Sequence, residues 1–197
     1  MSPDRREDNT VAIGPGTLFL VVGPSGAGKD ALIKGARTAL AGDNRFIFPE
    51  RVITRASHAA EAHASVDEAE FVEAMQHGAF ALTWPAHELR YGVPVTINAA
   101  IGAGQAVVVN ASRGICIEAR RRYARTRVIL VDCPRDVRAA RLSLRKRESA
   151  AEIDARLERN VVGFEPTDAD AMIDNSGTID DGVRRLTAAL RRLIAPA

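Results

Sequence analysis

LFLVVGPSGAGKDALI, residues 18–33, passes from an unbroken apolar run through a glycine-rich turn into a helical pattern. The run TLFLVV (17–22) offers no polar alternation and so predicts a strand buried on both faces. Gly23, Gly26, Gly28 and Lys29, with Pro24, Ser25 and Ala27 between them, fit the spacing G-x-x-x-x-G-K. Glycines let successive backbone N–H groups turn inward toward phosphate oxygens, and the helix that follows adds the positive end of its dipole. Lys29 can then reach the terminal phosphates of a nucleotide. The next position usually carries Ser or Thr as a magnesium ligand, but here it is Asp30. A carboxylate is still a hard oxygen donor, directly or through water. It also sets a negative charge beside the phosphates, which requires cations close by. The same acid would sit favourably in the first turn of a helix for dipole reasons alone.

Outward from that stretch, strand-like and helical patterns alternate. RFIFPERVITR (45–55) reads as extended, Asp67 as the N-cap of a helix, and AFALTW (79–84) as a strand. QAVVVNAS (105–112) and TRVILVD (126–132) are strands, each followed by a helix, over 114–124 and 134–144. Helix resumes over 150–161, and AMIDN (171–175) leads into a closing amphipathic helix. This order predicts an α/β fold with a mostly parallel five-stranded core sheet flanked by helices.

The 197 residues suit one domain over 17–197, with 1–16 as a flexible tail. The polar start lacks the apolar centre of a signal peptide, and no run reaches membrane-spanning length, so a cytoplasmic chain without a membrane partner is expected. A net charge of +2 argues against nucleic acid. Cys116, Cys133 and the four histidines show neither metal spacing nor a disulfide framework. All but Lys29, Lys34 and Lys146 of the 27 basic residues are arginine, whose planar fork suits phosphate oxygens. The sequence leaves monomer and homodimer equally open.

GPSGAGKD, RVITR, ALTW…RYG and the arginine pattern of RLSLRKRESAAEIDARL together resemble the guanylate-kinase-type fold of the nucleoside monophosphate kinases. Within it, GKD, FALTW, VNASRG and the spacing of the late arginines are most similar to the ribose 1,5-bisphosphate phosphokinases. The resemblance implies a P-loop kinase with a small acceptor lobe over about 51–93 and a lid over about 141–156. It implies transfer from ATP, with Mg2+, to a small phosphorylated sugar, ribose 1,5-bisphosphate, giving 5-phosphoribosyl 1-diphosphate and ADP.

Residue by residue, the resemblance assigns Arg55 and Tyr91 to the acceptor phosphate, and Arg141, Arg145 and Arg156, with Arg147 beside them, to the lid. It assigns Asn175 to adenine. Thr83 and Val93 stand where guanylate kinases carry a guanine-reading glutamate and a hydroxyl. Asn110 is a polar candidate on the following strand. Arg51, Arg90 and Arg113 lie on segments facing the acceptor and could grip a second phosphate, or could be surface arginines. Trp84 reads as core. Two other readings stay open: a guanylate-type nucleoside monophosphate kinase, which Thr83 and Val93 disfavour, and a non-catalytic binding module, which Lys29, Arg145 and Arg156 disfavour.

Overall fold

The computed structural model describes residues 12–54, 64–86, 88–144, 150–158 and 164–194. Nine strands and seven helices are found among them. Five strands make the main sheet: β1 (Thr17–Val22), β2 (Phe46–Ile47), β7 (Ala106–Asn110), β8 (Thr126–Asp132) and β9 (Ala171–Asp174), in the order β2-β7-β1-β8-β9. Every pairing in it is parallel. As the unbroken apolar run demands, all six residues of β1 are buried. Leu18, Leu20 and Val22 enter one core, and Phe19 and Val21 the other.

Helices α1 (Lys29–Ala39) and α7 (Ile179–Leu193) cover the Phe19 face, through Leu32, Ala36, Leu186 and Leu190. Gly35 lets them approach closely, because a Cβ there would collide with Val183. Thr178 caps α7 by accepting from Asp181 N at 3.1 Å. On the other face lie α3 (Ile97–Gly102) and α4 (Cys116–Arg122), through Ile97, Ile101, Cys116 and Ala119. Helices α5 (Arg135–Ser143) and α6 (Ala150–Glu158) form a separate pair, with Leu142 against Leu157.

A second, four-stranded sheet runs β4-β3-β6-β5, from β3 (Val52–Thr54), β4 (Ala64–Val66), β5 (Phe80–Ala86) and β6 (Leu89–Pro94). It joins the first core through Ala81, Leu82, Trp84 and Val93. Asp67 caps α2 (Glu68–Gln76) in a capping box, accepting from Glu70 N at 2.8 Å while its own N–H donates to the Glu70 carboxylate at 2.9 Å.

Three elements were not anticipated: β4, β6 and α3. The stretch before Thr17, expected as loose, is already tied down at Ile13, whose N–H donates to Arg122 O and whose carbonyl accepts from Ala124 N. No described helix is long and apolar enough to cross a membrane.

Both cysteines are free and buried. Burial pushes the Cys116 thiol up to about 11. Thiol reagents at pH 8 are therefore expected to label Cys116 only as fast as the chain unfolds. Because its pKa is raised on folding, the stability it contributes is complete below about pH 9 and lost as pH climbs through about 11. Replacing Gly35 by Val should overpack the α1–α7 contact and cost about 1–3 kcal/mol in urea unfolding.

Candidate active site

The loop between β1 and α1 turns where no side chain would fit. Gly23 and Gly28 have φ of 147° and 91°, and a Cβ on Gly28 would lie 2.5 Å from the Asn175 amide nitrogen. Gly28 caps α1 in the left-handed conformation, so the helix N-terminus opens directly onto the loop. Lys29 folds back, its ammonium donating to the carbonyls of Gly23 at 2.8 Å and Pro24 at 3.0 Å. Arg156 reaches the loop from α6 and donates to Ser25 Oγ at 2.6 Å.

A cleft runs from this loop to the second sheet. One wall is Gly23 to Gly26, Gly28 to Asp30 and Arg156. The other is Arg51, Trp84, Ala86 and Tyr91, and the end of β7 with the turn after it, Asn110 to Arg113, lies between. Four cations, Lys29, Arg51, Arg113 and Arg156, thus share the described lining with a single carboxylate, Asp30. The cations that an aspartate in this loop requires are present.

Asp30 joins the walls. Its Oδ1 accepts from Asn110 Nδ2 at 2.6 Å and from the Arg51 guanidinium at 3.1 Å. Arg51 is mostly buried, its side chain 14% exposed against 72% for Asp30. Burial pushes its pKa down and the Asp30 charge opposes the shift; an arginine stays protonated regardless. The guanidinium carbon also sits 5.5 Å from the centre of the Tyr91 ring, which stacks on Trp84 at 5.6 Å with 3° between planes. Trp84 is core, 7% exposed, as expected, yet it also lines the cleft.

Several expected residues lie elsewhere. Thr83 is not on the cleft lining; strand alternation turns it to the face opposite Trp84. Arg141 is not on it either: its guanidinium donates to Asn175 O at 2.9 Å and contacts Cys133 Sγ at 3.5 Å. Asn175 is 3% exposed and its amide donates to Ala27 O at 2.7 Å, so it braces the loop from behind. Arg90 pairs with Glu68 at the surface. Arg55, Arg145 and Arg147 lie outside the described residues. Ser112 was missed, since a lone serine after a strand carries no spacing signal; its Oγ accepts from Gly114 N at 3.4 Å in the turn that presents Arg113.

No group of three or more His, Cys, Asp or Glu that could hold a metal is found among the described residues, so these offer no all-protein cage. The donor set nevertheless suits magnesium, which takes one or two carboxylates and completes its shell with water and substrate phosphates. Both bonds to Asp30 fall on Oδ1, leaving Oδ2 to accept a further ligand.

The phosphate loop, the parallel sheet and the second small sheet define a P-loop phosphotransferase fold of the guanylate kinase type. A crystal structure of guanylate kinase from Anaplasma phagocytophilum superposes with a TM-score of 0.62 at 17% identity, over 92% of this chain and 88% of that one. No protein-family model matches the chain. It is 45% identical over 180 residues, 91% of its own length and 90% of the relative's, to ribose 1,5-bisphosphate phosphokinase PhnN of Bradyrhizobium diazoefficiens. With the protein of that name from Brucella melitensis biotype 2 it shares 47% identity over 166 residues, 83% of this chain and 86% of the other. The chain belongs to the ribose 1,5-bisphosphate phosphokinase PhnN family.

ATP with magnesium at 100 times its dissociation constant should stabilise the fold by about 2.7 kcal/mol, a shift of roughly 5–10 °C in Tm. Lys29→Ala is expected to abolish most of that shift in a thermal melt while leaving the unliganded Tm nearly unchanged.

Proposed function

We propose that the chain transfers the terminal phosphoryl group of ATP to the 1-phosphate of ribose 1,5-bisphosphate, giving 5-phosphoribosyl 1-diphosphate and ADP. Its family supports the kinase activity and this acceptor. One observation in the site carries the reading furthest: the cleft that holds the phosphate loop also holds a second set of cations, Arg51 before β3 and Arg113 after β7, which belong to other elements than that loop. A donor polyphosphate and a doubly phosphorylated acceptor would need both. The face that would read a nucleobase offers no carboxylate, because Asp30 is the single acid on the described lining and is tied to Arg51.

In this reading the backbone N–H groups from Gly23 to Lys29 cradle the donor phosphates. Lys29 leaves the Gly23 and Pro24 carbonyls for the phosphate oxygens. Arg156, already on Ser25, stabilises charge on the transferring group. The α5–α6 pair, with Arg145, acts as the lid, and the four-stranded sheet as the acceptor lobe. Arg55, Tyr91 and Arg51 hold the acceptor, and Arg113 its second phosphate. Arg141 and Asn175 would act on the donor side by holding the loop from behind. Bound magnesium would supply charge neutralisation between the phosphates, with Asp30 as its ligand directly or through water. No general base is required: a phosphate monoester with second pKa about 6 is already largely dianionic at neutral pH. Catalysis reduces to alignment and charge stabilisation.

An acceptor panel with ATP and magnesium tests the reading. Ribose 1,5-bisphosphate should be phosphorylated with kcat/KM at least about 100-fold above GMP, on the discrimination expected when buried polar groups are left unpaired. The opposite order would restore the guanylate-type alternative. Arg156→Ala should lower kcat by about 10³ with little change in acceptor KM.

A further inference from the structure

We infer that Asp30 is a positioning residue that couples the two ends of the cleft, keeping Arg51 from an acceptor phosphate until a nucleotide-bound divalent cation draws its charge away. The inference rests on the reading of the cleft as donor and acceptor ends. Asp30 belongs to the first turn of α1, next to Lys29, whereas Arg51 lies just before β3 in the other sheet. Their 3.1 Å ion pair therefore spans the gap that two substrates would fill.

The two partners are not equally anchored. Arg51 is wedged over the Tyr91 ring and only 14% exposed, while Asp30 is 72% exposed. Any anion that approaches Arg51 must compete with a carboxylate already occupying part of its fork. Asn110 donates to the same Oδ1 from the end of β7, holding the carboxylate at the mouth of the acceptor end.

A divalent cation on either oxygen of Asp30 takes negative charge that the guanidinium now shares. The pair weakens, and the freed N–H groups turn to phosphate. Donor binding thus raises acceptor affinity, and by linkage the acceptor raises donor affinity by the same factor. A serine or threonine at this position could ligate the metal but could not hold Arg51. The aspartate is what adds the coupling.

Trp84 is the single tryptophan, and it stacks on the Tyr91 ring that carries Arg51, so its fluorescence reports the acceptor end. Ribose 1,5-bisphosphate would be titrated into the full chain with no nucleotide, then with magnesium and a non-hydrolysable ATP analogue. Fluorescence and calorimetry would both be followed. The parent protein should bind the acceptor about tenfold tighter in the loaded state, within the usual range of coupling between sites. Asp30→Asn should tighten acceptor binding without nucleotide, toward the loaded value, and bring the enhancement close to one. A purely structural role for Asp30 would lower that affinity instead. Asp30→Ser, which restores the common hydroxyl, should behave the same way and serves where the asparagine variant folds poorly. Weaker nucleotide-free binding in both variants, or an undiminished enhancement, overturns the inference. Equal parent affinities in the two states with turnover intact overturn the coupling alone. Absent binding and absent turnover overturn the kinase reading as well.

Discussion

Everything in this molecule depends on where strand β1 can let go of the chain. The strand is the middle one of five and buried on both faces, so its end releases the backbone only above the sheet. From there α1 leads over one face toward β2, while α4 carries the chain from β7 to β8 over the other. Connections that part to opposite faces open a crevice at the carboxyl ends of the strands between them, where ligands of open α/β sheets bind. The phosphate loop fills one lip of that crevice, and Asn110 to Arg113 at the end of β7 fill its floor. The loop has no slack, because a Cβ on Gly23 would run into the Val131 carbonyl and one on Gly28 into Asn175. Strand burial, loop shape and site position are one constraint seen at three scales.

What could be read from the sequence follows the range of the interactions involved. The main sheet, the phosphate loop and the Asp67 cap are written in contiguous residues, because buried parallel strands are apolar runs and caps act within four residues. Strand β6 was not legible because Gly92 and Pro94 lie in it. Its place is set by pairing with β3 and β5, which no local pattern encodes. Strand β4 is three residues long, too short for a period to show.

The site divides in the same way. Lys29 and the glycines come from spacing. The contact between Asp30, Arg51 and Asn110 joins residues 21 and 80 positions apart, and so appears only once the sheets are assembled. Thr83 and Arg141 show the limit of alignment by motif. A family position fixes a residue in the chain, but the phase of a strand or helix decides which way its side chain faces, and both turn from the cleft lining here.

A buried cation has to be stabilised by something. Left alone, Arg51 would carry the desolvation cost of a guanidinium mostly out of water. The aromatic face of Tyr91 offsets part of it, by about 0.5–2 kcal/mol. Asp30 offsets a further part as an ion pair with one partner nearly in solvent, and pairs of that kind are worth about 1 kcal/mol or less. A fully buried pair would hold Arg51 far more firmly, and breaking it would cost about 3–5 kcal/mol, too much for a phosphate to displace readily. The exposed carboxylate therefore suits a site that must be neutral enough to stand empty and cationic enough to be filled. The fixed member of the pair faces the acceptor end, and the yielding member stands beside the lysine that meets the donor.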